Sequence, residues 1–245
     1  MEKSKIVSVR ERKRSLSASI KWRQQEGRFP VISEVKVRSD KEGDLLRGRD
    51  PVRLAHEMAR LPVAGISVVT EPEHFGGHMD LLRAIAAAVE VPVLHKDFIT
   101  TVRQIQESAD SGASAVLLIA AMLDTEQLIR LIGEARRRGL ETLVEAHTIE
   151  EIEEIASLDF DLMGINNRDI QIFETDDDGV DRTERLAGSC GRNRPLISES
   201  SIHTAEEVRR AGRCGADAVL IGTAVLKSER MAGFLDELIS VGWPV

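Results

Sequence analysis

Five short apolar runs in this chain each end in side chains able to move a proton or hold an anion. Run 31–36 (VISEVK) ends with Glu34 and Lys36, run 91–96 (VPVLHK) with Lys96, and run 141–145 (ETLVE) with Glu145. The segment MGINNRD brings Asn166 and Arg168, and PLISES brings Glu199 and Ser200. Side chains alternate faces along a strand, so Glu34 shares a face with Lys36 and Ile32, Lys96 with Phe98, Glu145 with Leu143, and Asn166 with Arg168. If those faces meet at one mouth, two lysines, an arginine and the carboxylates Glu34, Glu145 and Glu199 converge. Such groups, close together and partly desolvated, have coupled and displaced pKa values, so a lysine can serve as proton donor and a glutamate as acceptor. Any one of these residues alone reads as a solvated salt bridge at a strand end. Five strand ends together argue for one active site.

A second set of residues offers an anion site. Ser200-Ser201 follows run 195–199, and Gly222-Thr223 follows run 218–221 in AVLIGTAVL. Backbone N–H groups in such turns, with a short helix behind them, can cradle a phosphate. Taken alone, IGTA describes a tight turn; its place after the last of a series of strands gives it meaning.

The elements that must position these groups are legible as eight runs rich in Val, Ile and Leu: 31–36, 65–69, 91–96, 115–119, 141–145, 162–166, 195–199 and 218–221. Near-continuous apolar runs are what parallel strands covered on both faces require. Helical periodicity fills the gaps at 51–61, 80–89, 101–111, 124–138, 148–157 and 204–214. Asp50-Pro51 is a cap followed by proline in the first turn, and Gly139 is a helix stop. Thr148 with Glu151, and Thr204 with Glu207, have capping-box spacing. Alternating strands and helices over the whole chain predict a single-domain (β/α)8 barrel spanning 1–245. A doubly wound open sheet is the alternative. Residues 1–30 form an N-terminal helical extension in which 6–22 can be an amphipathic helix with a basic face. Such a helix either packs as a solvated layer on the barrel or acts as a lid that steers anions at the mouth.

Composition removes several other classes. With 245 residues, 42% hydrophobic and 30% charged, the chain can bury a large core. A net charge of −8 and a pI near 5.4 argue against nucleic acid or an anionic membrane as partner. Cys190 and Cys214 lack CxxC spacing, the N-terminus lacks the apolar core of a secretory signal, and no apolar run approaches the ~18 residues of a membrane span, so cytoplasm is the expected location. The six histidines have no ligand spacing; His74 and His78 flank the Gly76-Gly77 turn as surface or metal-binding residues. Asp176-Asp177-Asp178-Gly179 lacks the pattern of a calcium loop and reads as a solvated loop. No Gly-x-Gly-x-x-Gly fingerprint supports a dinucleotide, and no Ser or Cys nucleophile elbow is present.

The segments ISEVKVRS, FGG, LHKDF, AVLLIAAML, LVEAH, GINNRDI, ISESSI and AVLIGTAVL follow one another in an order that resembles the indole-3-glycerol-phosphate synthases of tryptophan biosynthesis. The resemblance covers about 31–226. It implies a carboxy-lyase that converts 1-(2-carboxyphenylamino)-1-deoxyribulose 5-phosphate to indole-3-glycerol phosphate with no metal or organic cofactor. It implies Lys96 as general acid, Glu145 as base, Lys36 as second acid, Glu34 as the group that tunes the lysines, and Asn166 and Glu199 as holders of the reacting hydroxyls. Lys36, Ser39 and Arg168 would meet the substrate carboxylate; Ser200, Gly222 and Thr223 the phosphate; Phe75 and Phe98 the anthranilate ring. A small phosphorylated substrate is the implied partner; the chain is expected to work as a monomer or with other enzymes of the same pathway. The chain departs from the family pattern at Asp40, which would set a negative charge near an anionic substrate, at His95 for the usual arginine, at Ala146 for a larger aliphatic, and at Ser201 for glycine. Two other readings compete. One is a phosphosugar isomerase or another phosphate-binding barrel enzyme, of which phosphoribosylanthranilate isomerase would want a cysteine after the first strand and an aspartate after the fifth, where Glu34 and Glu145 stand. A ligand-binding barrel without catalysis would have no need of Lys36, Lys96 and Glu145 together.

Overall fold

The computed structural model describes residues 15–168 and 179–245. The predicted acidic loop at 176–178 therefore lies outside the described residues, as does 1–14. Eight strands form a closed, all-parallel barrel: β1 Val31–Val35, β2 Gly65–Val69, β3 Val93–Lys96, β4 Ala115–Ile119, β5 Glu141–Ala146, β6 Leu162–Asn166, β7 Leu196–Glu199 and β8 Ala218–Ile221. Each strand pairs with its sequence neighbours, and β1 closes the ring between β2 and β8. Closure excludes the open doubly wound sheet. β3 starts later than expected because Pro92 has no N–H for the ladder; its carbonyl still accepts from Ile66 N at 2.9 Å.

The predicted helices form at Pro51–Ala59, Met79–Ala88, Val102–Asp110, Thr125–Arg137, Ile149–Ile155 and Ala205–Cys214. Asp50 accepts from Val52 N and Arg53 N, and Thr204 with Glu207 makes the full capping box. Thr148 caps its helix, but the reciprocal half of that box is missing: Glu151 reaches back to His147 instead. Further helices lie at Asp181–Leu186, Thr223–Lys227 and Met231–Ile239, and a hairpin of two-residue strands, Arg38–Ser39 with Gly43–Asp44, follows β1. Among the described residues, no helix is long and apolar enough to cross a membrane.

Three apolar layers result. Two lie between the barrel and its helices. The third fills the barrel itself with Ile32, Leu94, Leu117, Leu143, Ile197 and Leu220, all nearly or fully buried. The described part of the N-terminal extension completes this inner layer. Its helix runs Leu16–Gln25 rather than ending at Trp22, and Ser15 caps it by accepting from Ala18 N. Leu16 and Ile20 insert into the end of the barrel where the strands begin. Ser19 donates to Ala64 O, Gln24 to Asp217, and the Glu141 carboxylate accepts from Ser15, Leu16 and Ser17. This helix is a plug at the strands' N-terminal end. The described helix thus packs on the barrel, at the end away from the strands' C-terminal mouth; residues 6–14 of the expected helix lie outside the described residues.

Candidate active site

The other end of the barrel is open. Its cavity is walled by Glu34, Lys36, Phe75, Lys96, Phe98, Glu145, Asn166, Arg168, Ser200, Gly222 and Thr223, with Glu71, Asp97, Leu117 and Ser201 among them. Alternation along the strands aims the charged residues at this mouth: the lumen positions below them are Ile32, Leu94 and Leu143, two residues earlier in β1, β3 and β5.

Lys96 is the centre of the cluster. Its Nζ lies 3.0 Å from Glu199 Oε2 and 3.4 Å from Glu145 Oε2. Burial works against its charge, but Glu199, Glu145 and Glu34 outweigh that and hold the ammonium firmly protonated. Burial also disfavours charge on Glu145, yet Lys96 and then His147 win, bringing its pKa down to about 2. Glu199 goes the other way: burial, helped by the neighbouring Glu145, pushes it up to about 7 despite Lys96. Two carboxylates on one cation thus divide into an ionised and a proton-holding member.

Two glycines make room for this arrangement. A Cβ on Gly164 in β6 would collide with Glu199 Oε1, and one on Gly222 would lie 2.6 Å from Glu34 Oε1 and 3.0 Å from Glu34 Cβ. Lys36 Nζ is 3.6 Å from Glu34 Oε1 and 5.3 Å from the Phe75 ring centroid, a cation–π distance. Phe75 is held by Glu71, whose carboxylate accepts the N–H groups of Glu73, His74 and Phe75 at 2.8, 2.8 and 3.1 Å. Glu71, Glu73 and His74 carry ligand-type atoms close together, but Glu71 already serves as the loop's amide acceptor. His78 is exposed and caps the helix Met79–Ala88.

On the far rim, Asn167 Nδ2 donates to Ser198 Oγ and to the carbonyls of Glu199 and Ser200, tying β6 to the turn after β7. Ser200 and Ser201 both have left-handed backbones, φ 68 and 53. Arg168 Nε donates to Ser201 Oγ at 3.2 Å, so the serine standing where glycine is usual supplies a hydroxyl to the arginine of the mouth.

Two predicted residues stand apart from the wall. Ser39 is buried in the hairpin, where its hydroxyl accepts from Glu42 N. Glu199 has no exposed surface and lies beneath Lys96, with Oε1 unpartnered. The other departures face away from the cavity. Asp40 pairs with His74 at 2.9 Å on the rim. His95 is buried behind β3 between Thr70 and Ser108, each at 2.7 Å. Ala146 packs in the layer under the outer helices. Sequence reasoning missed Glu71, Asp97 and His147. Asp97, which accepts from Thr70, and His147 lie within the segments LHKDF and LVEAH; Glu71 acts through the amides of residues 73–75 just after it, and His147 through Glu145 and Glu151.

A sequence profile described as Indole-3-glycerol phosphate synthase matches residues 2–238. A protein of that name from Pyrococcus abyssi is 44% identical over 200 residues, 82% of this chain and 86% of its own length. Another from Halobacterium salinarum is 40% identical over 213 residues, 87% of this chain and 82% of its own. A solved structure described as thiamine phosphate pyrophosphorylase from Pyrococcus furiosus superimposes with a TM-score of 0.63 at 12% identity, covering 89% of this chain and 95% of that one. Likeness at that identity concerns the fold alone.

Proposed function

The chain belongs to the indole-3-glycerol phosphate synthase family, and from that premise we propose how its own residues carry out the ring closure, decarboxylation and dehydration of 1-(2-carboxyphenylamino)-1-deoxyribulose 5-phosphate. The observation that carries the reading is Lys96, a protonated amine at the mouth between two buried carboxylates of opposite tendency.

A lysine held this firmly protonated yields its proton only to a strongly basic atom. The oxygen of the ribulose carbonyl becomes one as the electron-rich aniline ring carbon attacks, so Lys96 acts as general acid at that oxygen. Loss of carbon dioxide then restores the aromatic ring. Dehydration needs an acid for the departing hydroxyl and a base for the proton lost from the substrate. Lys36 is the second acid and Glu145 the base. As Lys96 turns to the substrate, its 3.4 Å contact with Glu145 loosens and the carboxylate gains basicity. Asn166 holds a reacting hydroxyl. Glu199, lying beneath Lys96, steadies that lysine and meets substrate only through it.

Arg168 and Lys36 meet the substrate carboxylate, and Phe75 and Phe98 flank the anthranilate ring. Ser200, Gly222 and Thr223, whose turns share one rim, take the phosphate. Ser39 contributes by shaping the hairpin rather than by contact. The chain works as one domain in the cytoplasm, where phosphorylated intermediates are retained, as a monomer or beside other enzymes of the same pathway.

The test is to add this substrate to the folded protein and follow indole fluorescence. Turnover supports the proposal. Folded protein that binds the substrate without producing signal refutes it and returns the barrel to a binding role.

A further inference from the structure

The proposed mechanism gives no task to His147, the first residue after β5. Its ring is nine-tenths buried and does not touch the cavity. Its Nε2 lies 3.3 Å from Glu145 Oε1, a charge-pairing distance but off the line of a good hydrogen bond. Its Nδ1 lies 3.4 Å from Glu151 Oε2. Glu151 Oε2 also accepts the backbone N–H of His147 at 2.7 Å, so the glutamate is committed to this residue rather than to completing the cap at Thr148. Glu145 is therefore held from both sides, Oε2 by Lys96 and Oε1 by His147.

We propose that His147 is the positioning residue of Glu145, an imidazolium clamped between Glu145 and Glu151 that fixes which carboxylate oxygen faces the lysine and the substrate. The proposal rests on the synthase reading for what Glu145 does, and on geometry alone for what His147 does. Both ring nitrogens face carboxylate oxygens. A neutral imidazole has one N–H and one lone pair, so one carboxylate would then face a lone pair; only the doubly protonated ring turns an N–H toward each.

Among the described residues, the charged groups facing the ring are Glu145 from its own strand and Glu151 from the helix Ile149–Ile155, with Lys96 of β3 acting through Glu145. The turns Ala120–Met122 and Ala187–Ser189, packed against this helix, carry no titratable side chain. Burial disfavours the charge on His147, but Glu145 and Glu151 outweigh it and raise the ring to about 9. The clamp is then closed at neutral pH and opens as pH rises through that value.

Two measurements on the full chain test this. First, NMR of the histidine rings, with His147 assigned by its loss in H147Q, is followed against pH. The imidazolium persists above pH 8 in the wild type, and in E151Q it is lost at least one pH unit lower. A ring that is neutral at pH 7, or one unmoved by E151Q, overturns the clamp whether or not the protein turns over the proposed substrate. Second, kcat and KM are measured against pH. In H147Q, kcat falls tenfold to a hundredfold with KM within threefold, and the alkaline fall near pH 9 disappears. In E151Q that fall moves to lower pH. A folded H147Q with kcat within twofold of wild type and an unchanged alkaline limb overturns the positioning role. Should H147Q fail to fold, E151Q carries both readouts, with the ring assigned by its through-bond connection to the His147 backbone.

Discussion

Gly164→Ala changes one hydrogen to a methyl group beneath the mouth, at a residue that touches no substrate in the proposed mechanism. Gly164 lies in β6 with no left-handed φ, so any residue could adopt its backbone; the glycine is there for space. The new Cβ would overlap Glu199 Oε1 and press on Leu143 Cδ1 at 3.3 Å and Glu145 Cα at 3.4 Å. To reach ordinary van der Waals separation the Glu199 carboxylate must retreat by about 1 Å. It has little room, because it is fully buried and its other oxygen holds Lys96 at 3.0 Å. The displacement therefore passes to the lysine. A misplacement of about 1 Å in a reacting group lowers the rate by roughly 10²-fold, or about 2.7 kcal/mol in the barrier. Overpacking costs about 1–3 kcal/mol of stability, offset by about 0.4–1 kcal/mol from the reduced freedom of the unfolded chain. The expected result is a kcat lowered by about two orders of magnitude and a Tm lowered by roughly 2–8 °C. The assay is continuous indole fluorescence at saturating substrate, beside a thermal melt. Gly188→Ala is the control: its Cβ meets nothing within 4 Å, and both quantities should stay at wild-type values. If Gly164→Ala loses stability but keeps wild-type kcat, Glu199 does not position Lys96 and that part of the mechanism is wrong.

Lys96→Met, which keeps the side chain's bulk, should remove turnover while substrate affinity by calorimetry stays within about tenfold; a mutant with near wild-type turnover refutes the acid role. Glu199→Gln tests the raised carboxyl by linkage. A folded-state value of about 7 against an ordinary 4.5 means that the native protein binds this proton more tightly than the unfolded chain, so stability is full below the ordinary value and is lost as pH rises through about 7. Glutamine does not titrate, so urea melts should show the mutant gaining on wild type between pH 5 and pH 8; a gain for wild type over that range contradicts the assignment. Ser201→Gly relieves a left-handed φ of 53 but removes the acceptor of Arg168. KM should rise about fivefold, near 1 kcal/mol, with kcat within twofold, and an unchanged KM means that the hydroxyl does not hold the arginine for substrate.

The strands were legible because burial on both faces leaves little but Val, Ile and Leu, and a charge at the end of such a run, as at Lys96 or Glu145, has few structural excuses. The convergence of β1, β3, β5 and β6 at one mouth then followed from barrel closure. What stayed hidden depends on partners distant in sequence or on choices between equivalent local partners. Ser39 reads as a site residue in ISEVKVRS; only the hairpin Arg38–Ser39 with Gly43–Asp44 turns its hydroxyl to Glu42. Glu199 follows the alternation correctly, yet its depth under Lys96 could not be read from β7 alone. Thr148 and Glu151 have capping-box spacing, and that pattern concealed Glu151's attachment to His147. Gly164 looks like a weak point in a strand until Glu199 from the neighbouring strand is seen to need the space.

The two ends of the barrel divide stability from chemistry for a physical reason. Glu34, Glu145 and Glu199 are buried beside Lys36 and Lys96, and desolvating so many charges together contributes little net stability. Glu34 Oε2 and Glu199 Oε1 find no hydrogen-bond partner among the described residues, so nothing in the protein offsets their burial. Such a layer persists only if the rest of the fold over-determines it. The layers below do so: Leu94, Leu117, Leu143 and Ile197 fill the lumen, and Leu16 and Ile20 seal its far end. The helix Leu16–Gln25 therefore belongs to the stabilising end of the barrel: it closes the apolar core on which the charged layer around Lys96 rests.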